Sequence, residues 1–207
     1  MENVLIAGAN GTTGKHIVNI LSGSQYFKPV AMIRKESQKA QFENSGIKTV
    51  LADLEEDVSH ALKDIDKVIF AAGSKGKKVT KVDENGAKKL IDAAISHGAK
   101  KFVMLSSMGA DNPSMSNELQ EYLKAKQNAD AYLVNSKLPY AIVRPGSLTN
   151  EPGSGKIKLA HKLNERGSIP REDVALSLVH ALHDTAAPNE IFEILEGNTL
   201  IGEAIPA

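Results

Sequence analysis

The 207 residues contain no cysteine and no tryptophan. Without cysteine, disulfides, thiolate zinc sites and cysteine nucleophiles are excluded. Charge of one sign is missing too: 25 Lys and Arg stand against 25 Asp and Glu. A chain that binds nucleic acid or an anionic membrane broadly needs a basic surplus, so neither partner is expected. No apolar run approaches the ~20 residues of a membrane span, and no basic leader precedes the first strand. Internal repeats and low-complexity tracts are also lacking. These absences lead to the expectation of a soluble, cytoplasmic protein, monomer or homodimer, whose partner is a small-molecule substrate. Metal is not expected.

What is present is a hydrophobic content of 42%, enough for a sizeable core. Apolar runs alternate with helical patterns along the whole chain. The runs are NVLIAG (3–8), PVAMIR (29–34), IKTVLAD (47–53), DKVIFAAG (66–73), KKFVMLSS (100–107), PYAIVRPG (139–146) and EIFEILEG (190–197). Helices are expected at 12–22, 36–45, 57–63, 79–97, 118–136 and 171–184. Continuous rather than alternating apolar strands are buried on both faces. Strand–helix alternation implies right-handed crossovers. The fold class expected is therefore α/β, a Rossmann-type doubly wound parallel sheet of about seven strands with helices on both faces. One domain spanning 1–207 suffices, with a small substrate or lid segment near 147–169, where Ser154 to Lys158 has glycines that permit motion.

In VLIAGANGTTGKHIVNIL (4–21) a strand ends at Gly8 and a helix begins near Thr12, with Gly8, Gly11 and Gly14 between and just beyond. A first βα turn of this kind needs positive φ, brings bare backbone to a diphosphate, and aims helix N–H groups at it. Gly14 lets the helix pack closely on the strand. A glycine-rich turn can also serve packing alone; the strand before and helix after favour a dinucleotide. The second strand ends MIRKES. Arg34 offers a planar fork for a 2′-phosphate and Lys35 a point charge, and no acid stands at either position to take a 2′-hydroxyl. NADP(H) is expected in preference to NAD(H), the alternative being two solvated surface charges. Asp53, ending the third strand, is placed either to accept the adenine amino group beside Leu54 or to serve as a turn aspartate. The small residues of AAG (71–73) suit a strand end along which a ribose and diphosphate lie.

Tyr122 and Lys126 are four apart in EYLKAKQNADAYL and share a helix face. A phenol titrates near 10. An ammonium at ~4 Å and an effective dielectric of ~20 favours the phenolate by about 4 kcal/mol before desolvation opposes it, and Lys126 is also placed to hold the nicotinamide ribose hydroxyls. The spacing alone is a weak signal, and an ordinary surface pair is the alternative. Its position after the fifth strand turns it toward the carboxyl edge of the sheet.

In order along the chain, AGANGTTG, MIR, ADL, FAAGS, NGAKKLIDAAISHGAKKFVMLSSMGA, YLKAK and YAIVRPGSL resemble the short-chain dehydrogenase/reductase superfamily. The likeness is to its atypical branch of small NAD(P)-binding, sugar-epimerase-like proteins. The resemblance implies that Gly8, Asn10, Gly11, Thr12, Thr13 and Gly14 hold a diphosphate, Arg34 a 2′-phosphate, and Asp53 with Leu54 the adenine. It implies that Ala72 and Gly73 line a ribose, that Tyr122 and Lys126 form the catalytic pair, and that Pro145, Gly146, Ser147 and Leu148 border the nicotinamide. Two features depart from the family. The third place of the usual SSS or SST run is Met108, which leaves Ser107 as the candidate for the substrate oxygen. The segment 147–169 is also small for a nucleotide-sugar pocket.

His180 and His183 are three apart, but no third ligand completes a metal face. The lysines of KGKKVTK (75–81) either steer an anionic cofactor or form a solvated loop. The reading favoured is an NADPH-dependent oxidoreductase reducing a small carbonyl compound with Tyr122 as proton donor. The alternatives are a non-catalytic NADP(H)-binding redox sensor, and a flavin- or quinone-type reductase that needs no tyrosine.

Overall fold

The computed structural model describes residues 1–74 and 78–206. The chain alternates as the apolar runs require: β1 (Glu2–Ala7), α1 (Thr12–Ser22), β2 (Phe27–Ile33), α2 (Lys39–Glu43), β3 (Lys48–Leu51) and β4 (Lys67–Phe70). A π-helical turn, Val79–Gly86, leads into α3 (Ala87–Ser96), followed by β5 (Lys101–Leu105), α4 (Gln120–Asn135) and β6 (Tyr140–Pro145). Three short strands follow, β7 (Ser147–Thr149), β8 (Lys156–Ala160) and β9 (Ser168–Pro170). The chain then forms α5 (Arg171–His180), β10 (Glu190–Glu196), β11 (Thr199–Leu200) and α6 (Ile201–Ala204).

The main sheet has nine strands in the order β11-β8-β10-β6-β5-β4-β1-β2-β3. From β3 to β10 neighbours run parallel, and β8 is antiparallel to β10 and β11. This is a doubly wound Rossmann-type sheet. Strand residues alternate between two cores. On one face Val4, Ile6 and Val103 meet Ile17 and Leu21 of α1 and Leu178 of α5. On the other Leu5, Val68 and Phe70 meet Leu90 and Ile91 of α3 and Leu133 of α4.

The sheet exceeds the expected seven strands by two, and the difference lies at one edge. Lys156, Ile157, Lys158 and Leu159 alternate with period two, and Ile157 is fully buried. That is the pattern of an edge strand with one buried face, hidden in the sequence by the glycines before it. Of the segment expected as a lid, Ser154 to Lys158, the last three residues are thus built into the sheet. Its approach is pinned from α5: the carboxylate of Asp173 accepts the N–H groups of Ser154 (3.0 Å) and Gly155 (2.8 Å), and Glu172 accepts that of Gly153 (2.9 Å).

Candidate functional site

A cleft of about 820 Å³ runs along the carboxyl ends of β1 to β5. β1 and β4 are neighbours whose following helices cover opposite faces, the switch point at which such sheets bind ligands. Gly8 leaves β1 with φ +93, and a Cβ there would stand 2.6 Å from the Ala72 nitrogen. A Cβ on Gly14 would stand 2.1 Å from the Gly8 oxygen. These two glycines press the turn between β4 and α1. Gly11, the N-cap of α1, has ordinary extended φ and ψ and no side-chain cap, and no acid occupies the first turn. The first N–H groups of α1 therefore lack intrahelical acceptors and carry the positive end of the helix dipole. An anion fits there.

Gly8, Asn10, Gly11, Thr12 and Thr13 line the cleft, whereas Gly14 is buried behind it. Asn10 also accepts from the Gln41 side chain. Past β2, the Gln38 side-chain oxygen accepts the N–H groups of Arg34 (2.9 Å) and Lys35 (3.0 Å) and fixes that turn. Arg34 and Gln38 stand in the cleft wall and Lys35 does not. Asp53 and Leu54 are in the wall past β3, and one Asp53 oxygen accepts the Glu55 N–H at 3.0 Å. The carboxylate thus serves a turn while facing the cleft. Ala72 and Gly73 line the cleft past β4.

At the other end Tyr122 and Lys126 both line the cleft from one face of α4. Lys126 is 3% exposed, donates to the Leu105 carbonyl at 2.9 Å, and holds Nζ 5.7 Å from the Tyr122 ring centre. Of the four residues expected beside the nicotinamide, only Leu148 reaches the wall. Pro145 is paired in the sheet with Ile194. Gly146 is packed so that a Cβ would stand 2.3 Å from Leu195, and Ser147 donates to Gly167 at 2.9 Å. Ser107 does not line the cleft either; its hydroxyl turns to the Met108 carbonyl at 3.2 Å. Ser106 takes that place because the β5 pleat turns it toward α4. Its Oγ donates to Asp130 Oδ2 at 2.8 Å, which leaves its lone pairs free to accept. Burial pushes the Asp130 carboxyl up, against the pull of Arg144 and Ser106.

Arg171, Glu118, Glu121 and Asp83 also stand in the wall, and the sequence reading missed them. Arg171 is aimed by bonds to Asn150 Oδ1 (2.7 Å) and the Leu148 carbonyl (3.3 Å). None of these carries a spacing that singles it out before the chain is folded.

His180 and His183, weighed as a metal face, lie outside the cleft, and His183 packs edge-on to Tyr26 and Phe27 at 5.4 and 5.0 Å. Among the described residues no group of three or more His, Asp or Glu is placed to hold a metal ion, and no helix is long and apolar enough to cross a membrane. Of the lysine run, Lys75, Gly76 and Lys77 lie outside the described residues, and Lys78 pairs with Glu55.

The family model for NAD(P)H-binding proteins matches residues 8–185. A Bacillus subtilis protein named as an uncharacterized sugar epimerase, YhfK, is 42% identical over 210 residues, covering 98% of each chain. A solved structure from Bacillus halodurans, provisionally described as an NAD-dependent epimerase/dehydratase, is 38% identical with TM-score 0.94, covering 99% of this chain and 98% of that one. The oxidoreductase YlbE of Lactococcus lactis is 31% identical with TM-score 0.89, covering 98% and 94%.

Proposed function

The chain belongs to the NAD(P)H-binding family, and from that premise we propose that it is an NADPH-dependent oxidoreductase acting on a small carbonyl compound. The observation that carries the reading is that Tyr122 and Lys126 line the same cleft as the glycine turn and Arg34. The cradle fits a dinucleotide: uncapped helix N–H groups for a diphosphate, a guanidinium for a 2′-phosphate, and small residues at the end of β4. Thr12 and Thr13 would bind the diphosphate through their N–H groups, Arg34 the 2′-phosphate, and Asp53 with Leu54 the adenine.

When bound, a reduced nicotinamide supplies hydride. Tyr122 gives its Oη proton to the substrate oxygen. Lys126, held by the Leu105 carbonyl, stands with Nζ 5.7 Å from the Tyr122 ring centre, where a cation stabilises negative charge developing on the phenol oxygen. Ser106, its proton engaged by Asp130, presents lone pairs that would accept a hydrogen bond from the alcohol product rather than from the carbonyl substrate. The likeness to YlbE, an oxidoreductase by name, supports reduction, while the two Bacillus relatives carry epimerase names.

The test is a screen of aldehydes and ketones with NADPH, followed by Tyr122→Phe. Turnover should fall by about 10²- to 10⁴-fold in that variant, the usual contribution of a positioned acid, while NADPH affinity is unchanged. Undiminished turnover would remove the tyrosine from the mechanism and favour a flavin- or quinone-type reduction. No turnover of any carbonyl, with tight and redox-dependent binding, would favour a sensor.

A further inference from the structure

Asp83 stands in the cleft wall and is 1% exposed. Its Oδ2 accepts the Ser74 N–H at 3.0 Å. Its Oδ1 has no hydrogen-bond partner among the described residues. A buried carboxylate oxygen without a donor is costly, and in native structures such a group marks strain, a functional role, or a bound water or ion. The backbone is unusual at the same place. Asp83 lies within the π-helical turn Val79–Gly86, and π-turns are rare and concentrate at functional sites. The position facing the carboxylate is cleared as well. Gly73 has no side chain, and a Cβ there would stand 3.3 Å from Oδ1.

The chemistry of the missing partner follows from charge and place. A carboxylate oxygen repels phosphate, so the group it meets must donate a proton. Gly73 is one residue past Ala72, whose nitrogen lies against the Gly8 turn that fits a diphosphate. In a dinucleotide the group next to the diphosphate, on either side, is a ribose. Building on the dinucleotide reading above, we propose that Asp83 is a cofactor-binding residue whose Oδ1 accepts a hydrogen bond from a ribose hydroxyl, delivered there by the π-turn.

The experiment is a fluorescence titration of NADPH and a calorimetric titration of 2′,5′-ADP, the adenosine half alone, into wild type and Asp83→Asn. The asparagine oxygen can still accept from Ser74, and a thermal melt without ligand checks the fold. Asp83→Asn should weaken NADPH about tenfold or more, the scale of a charge-assisted bond. Equal weakening of 2′,5′-ADP assigns the adenosine ribose; weakening of NADPH alone assigns the nicotinamide ribose. Unchanged affinity for both in a folded variant overturns the proposal and leaves the dinucleotide reading intact. If wild type binds neither ligand, that reading fails and the proposal with it. Should Asp83→Asn not fold, Gly73→Ala takes its place: the new methyl covers Oδ1 while keeping its neighbour's bond to Ser74, and undiminished NADPH affinity there overturns the proposal.

Discussion

Gly8 and Gly14 face each other across one close approach, and each is needed for a different reason. Gly8 has positive φ and no room for a Cβ beside Ala72; Gly14 has helical geometry but would drive a methyl into the Gly8 carbonyl. Gly14→Ala must therefore push α1 off β1, and a loss of about 1–3 kcal/mol in denaturant unfolding is expected, as for overpacked sites. Arg34 makes a sharper functional test. Arg34→Ala should weaken NADPH by about 10- to 100-fold, the scale of a charged hydrogen bond, and leave NADH nearly unchanged; equal losses for both would remove the 2′-phosphate role. At this scale the sequence was most informative where a residue type has one main use. Glycines at a strand–helix turn are of that kind. Ser106 and Ser107 are chemically identical, and only the pleat of β5 decides which one meets Asp130. Asp83 and Arg171 carry no signal before the chain is folded, since each is defined by partners remote in sequence or by a local break in helical geometry.

The strands of the parallel region declared themselves by continuous apolar runs, and their boundaries fall within three residues of expectation. β8 did not, because it is an edge strand with alternating Lys and Ile or Leu beside Gly153 and Gly155. Its place depends on Asp173, which is 1% exposed and holds two loop N–H groups from the first turn of α5. Gly153 packs against it so tightly that a Cβ would stand 2.6 Å from Oδ1. Asp173→Ala leaves both N–H groups without their carboxylate, so a loss of roughly 2 kcal/mol is expected. Hydrogen exchange should rise in β8 and β11 before the parallel strands. Protection unchanged in β8 would mean that pairing with β10 holds the edge without the carboxylate. The helix at 79–97 was legible as a helix, but its first half is wound as a π-turn, and that register brings Asp83 to Ser74.

Across the whole molecule the two edges of the sheet do different work. The carboxyl edge carries the cleft. At the amino edge two lysines lie 2% exposed: Lys67 binds Glu2, Asp184 and the Leu182 carbonyl, and Lys101 binds the carbonyls of His183 and Ala186. Together they tie the stretch after α5 under the sheet. Burial, with Lys67 nearby, pushes Lys101 down to about 8. An unfolded lysine keeps its proton to about 10.4, so between these values the unfolded chain binds more protons. Stability attributable to this group therefore rises as pH increases from about 8 to about 10.4, by at most about 1.4 kcal/mol per pH unit. Lys101→Met should lose that rise, seen as a gap to wild type that widens across the window in urea titrations; a constant gap would mean that the carbonyl bonds keep Lys101 charged throughout. The central claim concerns the other edge, and parallel titration of the wild-type protein with NADPH and NADH tests it most directly. With no tryptophan in the chain, nicotinamide fluorescence reports binding cleanly. Saturable binding with NADPH clearly tighter than NADH is predicted, and binding of neither would contradict the cleft's assignment to a dinucleotide.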